Sequence, residues 1–413
     1  MEQPGFFDQD TLVSVMTLAP LDSALDYRAP EGGCHLGAYV EVPLGPRKVL
    51  GVVWGTGRGD YDPSKIRAVL RILDVAPMRA ELQSFLERGA DYTMTPRPAM
   101  LRLATRVPSL SNPPSMRKIY RPGTQQPSRM TNARRRVLET FQSYGGLAFT
   151  LKELADIAGV SPTVIKGMVA LGAVQEEDTP RDLPFARLNT EYAQTTLTPD
   201  QNSAAAALIT GLKAQNYGTT LLKGVTGSGK TEVYLEAVAE CLRQGRQALV
   251  LLPEIALTAE FLDRVEARFG ARPAEWHSGV TLTERRRVWK MVGQGGAQMV
   301  IGARSALFLP YQNLGLIVVD EEHDSSYKQV EGVLYNARDM AVLRASICGA
   351  RVVLASATPS LESWANAEAK KYQYVELSSR FGAAVMPKLG TIDMRAEPLP
   401  AGRWISHTLE KAI

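Results

Sequence analysis

The chain has 413 residues, of which 45% are apolar and 22% charged, and it carries 47 Lys and Arg against 43 Asp and Glu. This length predicts about two to four domains, and this composition excludes a fibre or a long disordered chain. No apolar run approaches the ~18–20 residues that cross a bilayer, and the acidic start MEQPGFFDQD lacks a signal-peptide pattern. The three cysteines are far apart and form no CxxC pair, so neither a disulfide framework nor a zinc site is predicted. We expect a cytoplasmic protein without a membrane partner.

Residues 1–105 are predicted to form a small β-rich domain. Four segments, LVSVMTL, AYVEVPL, VLGVVWG and IRAVLRIL, alternate apolar and polar positions between turn signals. Short strands that follow one another this closely are typical of a small barrel or sandwich. A helix is predicted next, at about residues 79–92.

A basic segment follows. From Tyr92 to Leu138 the sequence contains ten Lys and Arg and no Asp or Glu. Proline and glycine are frequent here, so residues 106–130 are predicted to be a basic linker. Such a segment favours contact with nucleic-acid phosphates, and the alternative is a solvated hinge.

Residues 131–179 are predicted to form a winged-helix domain. NARRRVLETFQSY has helical periodicity, and a second helix is expected to begin after Thr150 and to end at Gly159. Ser161 and Pro162 are typical of the start of a third helix. Two short helices around a glycine turn indicate a helix-turn-helix, which either binds DNA or serves as a protein-contact spacer. Both alternatives stay open.

A polar linker over residues 180–196 precedes an α/β pattern over residues 197–413. Apolar runs of strand length alternate with helical stretches, and the runs are TTLLKG, QALVLLP, QMVIGA, LGLIVVD and RVVLASA. Strands that are apolar on both faces and separated by helices predict a parallel sheet covered on both sides. The predicted fold class is therefore multidomain, with a parallel-sheet P-loop (RecA-like) domain at the end.

The segment GVTGSGKT, residues 224–231, fits the phosphate-binding pattern G-x-x-x-x-G-K-[ST] between a predicted strand and a helix. Lys230 is expected to reach the β- and γ-phosphates, and the Thr231 hydroxyl to bind Mg²⁺. Upstream, Gln201 of LTPDQ can bond an adenine edge with both its donor and its acceptor, or it can cap a helix. The predicted nucleotide-binding residues are Gln201, Gly224, Gly227, Ser228, Gly229, Lys230 and Thr231.

A second chemical motif is LIVVDEEH, a buried strand that ends in acids. Ligands of open α/β sheets lie at the carboxyl ends of strands, where the phosphate loop also lies. We predict that Asp320 holds Mg²⁺, mainly through water, and that Glu321 polarises the attacking water. The alternative is a solvated acidic turn. In LASATPS, Ser356 and Thr358 are expected to hydrogen-bond to the acidic strand end.

The ordered set LTPDQ, GVTGSGKT, LLPEIALT, GARSALF, DEEHDSSYKQ and ASATPS resembles the first motor lobe of superfamily 2 helicases. The sequences of these motifs are similar to those of the primosomal protein N′ (PriA) family of bacterial replication-restart helicases. ALDYRAPEG, VEVPLG and IRAVLRIL resemble that family's domain for the 3′ end of a nascent DNA strand. The resemblance implies an ATP-dependent 3′-to-5′ DNA helicase that uses ATP and Mg²⁺, recognises forked DNA and initiates primosome assembly at the nucleoid. The implied partners are forked and single-stranded DNA, primosome proteins, single-stranded-DNA-binding protein and the replicative helicase loader.

The resemblance also implies residue roles in the motor lobe. Lys230, Asp320 and Glu321 would act in catalysis, and His323 would couple hydrolysis to DNA. Arg304 would contact the DNA backbone or couple the two lobes. Tyr327 and Tyr335 would stack on bases, although Val333 and Leu334 depart from the family's pattern in this loop.

In the N-terminal domain, the resemblance implies a pocket for the 3′ end. Asp26 would accept a hydrogen bond from the terminal 3′-OH, and Arg67 would meet a phosphate. The alternative for Asp26 is a turn cap. The implied pocket residues are Leu25, Asp26, Gly45 and Arg67.

The chain ends at Ile413, before the zinc-binding insertion and second motor lobe that the family carries, so the family's zinc ligands are absent from it. Arginine fingers of a second lobe are worth ~10³–10⁵ in rate in related hydrolases. We therefore expect a chain that binds forked DNA and ATP but hydrolyses ATP little. Two hypotheses remain, the ATP-binding half of a fork-remodelling helicase and a non-catalytic fork-recognition platform with an idle motor lobe. A transcription regulator would leave the motor motifs unexplained.

Overall fold

The structure, a computed structural model, describes residues 5–21, 23–60, 62–105, 107, 110, 116–253, 258–378, 390–399 and 402–413. Residues 254–257 of the LLPEIALT motif lie outside the described residues. The described chain comprises a β-rich domain, a helix-turn-helix domain and an α/β domain in that order.

The β-rich domain is built on an antiparallel sheet, as its alternating pattern predicts. The sheet has the order β3-β2-β6-β5-β7, and β1 and β4 form a separate pair. Two helices follow. The elements are β1 Phe6–Phe7, β2 Leu12–Thr17, β3 Leu25–Arg28, β4 Cys34–His35, β5 Tyr39–Leu44, β6 Arg47–Thr56, β7 Arg71–Ile72, α1 Ala80–Thr93 and α2 Arg97–Thr105.

The segment IRAVLRIL forms much less strand than its apolar content predicts. Arg71 and Ile72 pair with β5, and Ala68 forms an isolated bridge with Arg28 of β3. Val69 and Leu73 are buried, whereas Leu70 and Ile72 between them are exposed. Positions four residues apart lie on the same face of an extended chain, so this burial follows a strand pattern. The segment is therefore extended, but its pairing with the sheet is short.

The helix-turn-helix is confirmed by the caps of its helices. Thr150 and Glu153 form a capping box at the start of α4, and Gly159 ends that helix in the left-handed conformation with φ of 60°. Pro162 opens α5 at its first position. The elements are β8 Met116–Pro122, α3 Asn132–Ser143, β9 Phe149–Thr150, α4 Leu151–Ala158, α5 Pro162–Ala170 and β10 Val174–Pro180.

The segment predicted as a basic linker includes strand β8, the centre of the sheet β10-β8-β9. Lys118 on β8 pairs with Glu176 on β10, and Arg121 lies 3.1 Å from Glu177. The linker prediction is wrong for this strand, because its partner lies more than fifty residues away in the sequence. Part of the basic charge is neutralised across the strand pair.

The α/β domain contains a seven-stranded parallel sheet of order β13-β14-β12-β15-β18-β11-β19, as predicted. A short antiparallel hairpin, β16–β17, follows β15. The elements are α6 Pro199–Lys213, β11 Gly218–Gly224, α7 Lys230–Arg243, β12 Gln247–Leu251, α8 Ala259–Phe269, β13 Ala274–Trp276, α9 Leu282–Gly293, β14 Met299–Gly302, a 3-10 helix Arg304–Phe308, β15 Leu314–Asp320, a 3-10 helix Ser325–Tyr327, β16 Lys328–Gln329, β17 Tyr335–Asn336, α10 Ala337–Cys348, β18 Arg351–Ser356, α11 Leu361–Glu368, β19 Gln373–Leu377 and α12 His407–Ala412.

Residues 180–196, predicted as a linker, form a strap that packs along the α/β domain. Asp182 is buried and lies 3.1 Å from the guanidinium of Arg286. Leu188 is also buried, and its backbone N–H donates to Gln298 at 2.9 Å. The strap is therefore fixed to the domain that it precedes.

The β-rich domain and its two helices share one apolar core with the α/β domain. The ring of Tyr39 packs edge-on against Trp289 at 5.3 Å, and the Trp289 indole donates to the carbonyl of Ala104 at 2.8 Å. Phe85 of α1 lies 5.4 Å from Phe308. No helix in the described part of the chain has the length and apolar character needed to cross a membrane.

Candidate active site

The phosphate loop, residues 224–231, joins the end of β11 to the start of α7. Gly227 and Gly229 have φ of 80° and 81°, a region that glycine enters without strain. A Cβ atom on Gly229 would lie 2.2 Å from the side-chain nitrogen of Gln201. The loop therefore needs glycine here for both its backbone conformation and its packing.

Two polar side chains of the loop face inward. Lys230 is buried, and its Nζ donates to the carbonyl of Gly224 at 3.0 Å. The buried Oγ of Ser228 has no hydrogen-bond partner among the described residues. An unpaired buried hydroxyl beside a helix N-terminus is the environment that a bound phosphate would satisfy.

Asp320, at the end of β15, faces the phosphate loop. The hydroxyl of Tyr234 donates to its Oδ2 at 2.8 Å. Burial raises the pKa of Asp320, and the hydrogen bond from Tyr234 works in the opposite direction. Tyr234 was not predicted from the sequence, although its position four residues after Lys230 places it on the same face of α7.

Glu321 lies between the phosphate loop and His323. One of its carboxylate oxygens lies 3.9 Å from Lys230 Nζ, and the other lies 3.7 Å from His323 Nδ1. Its φ of 45° is in the left-handed region, which non-glycine residues seldom adopt and which often marks functional sites. The backbone thus turns sharply at the residue predicted to polarise water.

His323 connects the acidic strand end to the next strand of the sheet. Its Nδ1 shares a hydrogen bond of 2.8 Å with Ser356 Oγ, which also accepts from the N–H of Thr358 at 3.0 Å. The predicted contact of Ser356 with the acidic segment is present. Thr358 takes part through its backbone rather than its hydroxyl.

A cavity of about 450 Å³ brings most of the predicted nucleotide residues together. This volume lies in the range of small-molecule sites. Four lining residues were not predicted from the sequence, namely Thr195 of the strap, Thr226, Glu232 and Arg264, and the last two lie 3.6 Å apart. The predicted residues that line the cavity are Gln201, Gly227, Gly229, Lys230, Thr231, Asp320 and Glu321.

The oxygen atoms of Thr231 and Asp320 are ligands of the kind that Mg²⁺ prefers, and Mg²⁺ usually combines one or two carboxylates with substrate phosphates and water. Within the described ranges, no group of three or more His, Cys, Asp or Glu side chains is placed to hold a metal by itself. The residues present therefore fit a magnesium ion that arrives with a nucleotide.

Gln201 acts as a helix cap in this structure, which was the alternative to its adenine contact. Its Oε1 accepts from the N–H of Thr198, and its Nε2 donates to the carbonyl of Ser228, both at 2.9 Å. One N–H and one lone pair of the amide are left by these two bonds. Contact with adenine stays a prediction.

The structure contradicts base stacking by Tyr327 and Tyr335. Their exposed fractions are 1% and 4%, so neither ring face is accessible to a base. The Tyr327 hydroxyl donates to the carbonyls of Asp320 at 2.6 Å and Leu251 at 3.0 Å. The Tyr335 ring packs against Phe308 at 5.2 Å. Both tyrosines support the core and the strand end instead.

The hairpin, residues 328–336, exposes two aliphatic side chains beside the polar side chains of Lys328 and Glu331. Val330 is 72% exposed and Leu334 58%. Arg304, expected at the DNA backbone or between lobes, donates to the carbonyl of Ser326 at 2.7 Å. It therefore holds the segment that leads into the hairpin, and its DNA contact stays a prediction.

The residues implied for a 3′-end pocket lie on β3 and in the turns around it. Arg67 donates to the carbonyl of Gly45 at 3.2 Å, in the turn between β5 and β6. Asp26 is buried, and its Oδ2 accepts from the N–H of Gly59 at 2.7 Å, as a turn cap would. Leu25 is half-buried beside it on β3. Their role at a 3′ end stays a prediction.

Comparison with known proteins agrees with this architecture. The 3′ DNA-binding domain model of PriA matches residues 14–106, and the DEAD/DEAH box helicase model matches residues 198–367. The replication restart protein PriA of Chlamydia pneumoniae is 35% identical over 95% of this chain and 55% of its own length. The chain is therefore similar to proteins of the PriA family along nearly all of its length. PriA of Haemophilus influenzae is 34% identical, again over 95% of this chain and 55% of its own.

PriA of Bacillus subtilis is 30% identical over 94% of this chain and 58% of its own length. The chain thus spans about half the length of these PriA relatives. The structure of RecG bound to a three-way DNA junction aligns with a TM-score of 0.36 and 20% identity, over 49% of this chain and 27% of that one.

Proposed function

We propose that this chain is the fork-binding and ATP-binding half of an ATP-dependent 3′-to-5′ DNA helicase of replication restart. One observation carries the proposal. The phosphate loop and the acidic end of β15 meet at one cavity, in a domain that shares its apolar core with a PriA-type 3′ DNA-binding domain. A site for nucleotide and a domain for a DNA end are therefore parts of one packed unit.

The chain's own residues suggest how ATP would be bound and hydrolysed. The loop N–H groups, the start of α7 and Lys230 would hold the phosphates, and Thr231 and Asp320 would hold Mg²⁺, which offsets phosphate charge when bound. Glu321 would accept a proton from the attacking water, since it lies at the cavity beside Lys230. The partner lobe of a longer chain would complete the transition-state contacts.

DNA recognition would begin at the β-rich domain. Asp26 would accept a hydrogen bond from a terminal 3′-OH, and Arg67 would contact a phosphate. The second domain is proposed to be a winged helix. The proposed protein partners are primosome proteins, single-stranded-DNA-binding protein and the replicative helicase loader.

Two titrations test the proposal on the 413-residue chain. Fork binding is measured with a nascent strand that ends in a 3′-OH or a 3′-phosphate, and we expect tighter binding of the 3′-OH fork, with the preference lost in Asp26→Asn. Equal affinity for both forks would contradict the 3′-end role.

Nucleotide linkage separates the motor from the idle platform. If the lobe is a motor, Mg²⁺ with a non-hydrolysable ATP analogue changes fork affinity, and Lys230→Ala abolishes the change. The reason is that nucleotide and DNA are thermodynamically coupled when each binds two conformations of the protein with different affinities. If neither the nucleotide nor Lys230→Ala changes fork affinity, the result would instead support the non-catalytic platform.

A further inference from the structure

The third acid of the DEEH run, Glu322, does not line the nucleotide cavity. Its side chain is 0% exposed, whereas the side chain of Glu321 beside it is 39% exposed. Successive residues at a strand end point in different directions, so one carboxylate faces the cavity and the next enters the protein. Glu322 therefore needs a role other than contact with nucleotide.

The buried carboxylate is surrounded by donors. Its Oε1 accepts from the N–H of Ser360 at 2.7 Å, and its Oε2 accepts from the hydroxyls of Ser360 and Ser363, both at 2.9 Å. The guanidinium of Arg338 lies 3.4 Å from Oε2. A buried charge is tolerated only with such partners, and a network in which every member is satisfied is rigid.

These partners come from two separate segments. Ser360 is the N-cap of α11 and ends the ASATPS motif. Arg338 is in the first turn of α10, directly after the hairpin, and it also donates to Ser360 Oγ at 2.6 Å. Glu322 thus joins the end of β15, the ASATPS segment and the start of α10 at one point.

We propose that Glu322 is a positioning residue, through which nucleotide bound at Asp320 and Glu321 moves the ASATPS segment and the start of α10 together. The inference rests on the proposed function, because it assumes nucleotide at the cavity. The backbone connects Glu321 directly to Glu322, so a shift of the strand end carries the buried carboxylate and its donors with it. The hairpin, which follows the same strand and precedes α10, moves with both of its ends.

The second link between these segments is weaker. His323 is exposed and makes one hydrogen bond to Ser356, whereas Glu322 is buried and bound by four donor groups. The backbone also joins the strand end to Ala355, through pairing with Asp320 and a 3.1 Å hydrogen bond from the N–H of Glu322. Loss of the buried carboxylate should therefore release Ser360 and Ser363, while Ala355 and Ser356 stay attached to the strand end.

The test is hydrogen–deuterium exchange of the 413-residue chain, with and without Mg²⁺ and a non-hydrolysable ATP analogue. In the wild type, we expect exchange to slow by about fivefold or more in both residues 224–231 and residues 356–363, the lower range of typical couplings. In Glu322→Gln, exchange of the phosphate loop should still slow, and the response of residues 356–363 should be lost at residues 360–363, which the carboxylate contacts.

The matched control is Asp182→Asn, which breaks another buried carboxylate–arginine pair, 3.1 Å long, away from the cavity. It should lose stability as Glu322→Gln does and yet keep the nucleotide response of residues 356–363. If Glu322→Gln fails to fold, Ser363→Ala removes one hydroxyl donor from the same carboxylate and should reduce that response partially.

The outcomes separate the two proposals. A wild-type phosphate loop that does not respond to nucleotide overturns the proposed nucleotide site. A phosphate loop that responds, together with an unchanged response at residues 356–363 in the Glu322 or Ser363 variant, overturns the positioning role alone. A lost response in Asp182→Asn as well would assign the effect to general destabilisation and would also overturn it.

Discussion

Replacement of Tyr234 by phenylalanine tests how the protein prepares Asp320 for a metal ion. The change removes one hydroxyl, which donates to Asp320 Oδ2 at 2.8 Å, and keeps the buried ring. Burial holds the pKa of Tyr234 well above its ordinary value, so the hydroxyl is a neutral donor throughout the physiological pH range. The variant therefore changes the orientation and charge state of Asp320 with little change in packing.

The size of the effect follows from the type of bond. A hydrogen bond to a charged group contributes about 1.5–3 kcal/mol, which corresponds to roughly 10–100-fold in an equilibrium constant. We expect Tyr234→Phe to weaken Mg²⁺-dependent ATP binding by about tenfold, the lower end of this range, since water can replace part of the bond. Binding of ATP without Mg²⁺ should change by less than about twofold.

The pH dependence has a definite sign. Burial already raises the pKa of Asp320, and the Tyr234 hydrogen bond lowers it. Without that bond the pKa rises further, so the carboxylate is protonated at a higher pH. Because Mg²⁺ binds the ionised form, the variant should lose its metal-dependent affinity at a higher pH than the wild type as the solution is acidified.

Fluorescence titration with a labelled ATP analogue, with and without Mg²⁺, measures both affinities. The control is Tyr311→Phe, the same change at another buried tyrosine of the domain, whose hydroxyl makes only a 3.4 Å bond to the carbonyl of Ala306. Equal losses with and without Mg²⁺, or an affinity like that of the wild type, would refute a specific role of Tyr234 at Asp320.

Three further predictions concern stability and are checked by thermal unfolding without nucleotide. Asp320→Asn should stabilise the protein by about 0.5–2 kcal/mol at neutral pH, since the raised pKa means that folding penalises the ionised carboxylate. This gain should disappear as the pH falls below the ordinary pKa of about 3.9, where the carboxyl is protonated in both states. An unchanged or lower stability at neutral pH would contradict this. Tyr335→Ala should cost about 3–5 kcal/mol as a core truncation, whereas Leu334→Ala on the exposed hairpin should cost little; equal stability of the two variants would contradict the packing of Tyr335 in the core. Trp289→Phe should cost about 1–3 kcal/mol, because it leaves the carbonyl of Ala104 without its indole donor, and a wild-type melting temperature would argue against that contact.

Structural features that depend on a few neighbouring residues were predicted well. The five inner strands of the parallel sheet are largely apolar and were predicted, whereas the edge strands β13 and β19 carry Glu275 and Glu376 and were not. The loop of residues 224–231 has glycines where φ is positive. The caps at Thr150 and Gly159 were also predicted, because a cap depends on residues within one turn of the helix.

Features set by distant partners were not predictable. Strand β8 was taken for a linker because the acids that face its lysine and arginine are on β10. Tyr327 and Tyr335 were assigned to bases from the resemblance, and the local sequence could not correct this, because an aromatic residue in a polar loop can stack on a ligand or enter the core. Only the three-dimensional position of Phe308 and of the β12 and β15 carbonyls decides between these outcomes.

The acidic run at the end of β15 shows how four like charges can follow one another in a folded protein. Asp320 is stabilised by Tyr234, Glu321 faces Lys230 across the cavity, and Glu322 is enclosed by its own donors. The fourth, Asp324, accepts from the N–H of Ser326 at 2.7 Å, and this hydrogen bond lowers its pKa.

Because each acid of the run has a different partner, the four are not interchangeable. Neutralising Asp320 removes a penalised charge and should stabilise the fold, whereas neutralising Glu322 leaves buried donors facing an amide and should destabilise it. Opposite shifts in melting temperature from two substitutions only two residues apart are therefore the expected signature of a site in which one carboxylate is held ready for a ligand and the other holds the protein together. Increased melting temperatures in both variants would show that charge repulsion along the run outweighs the individual partners, and decreases in both would contradict the penalty assigned to Asp320.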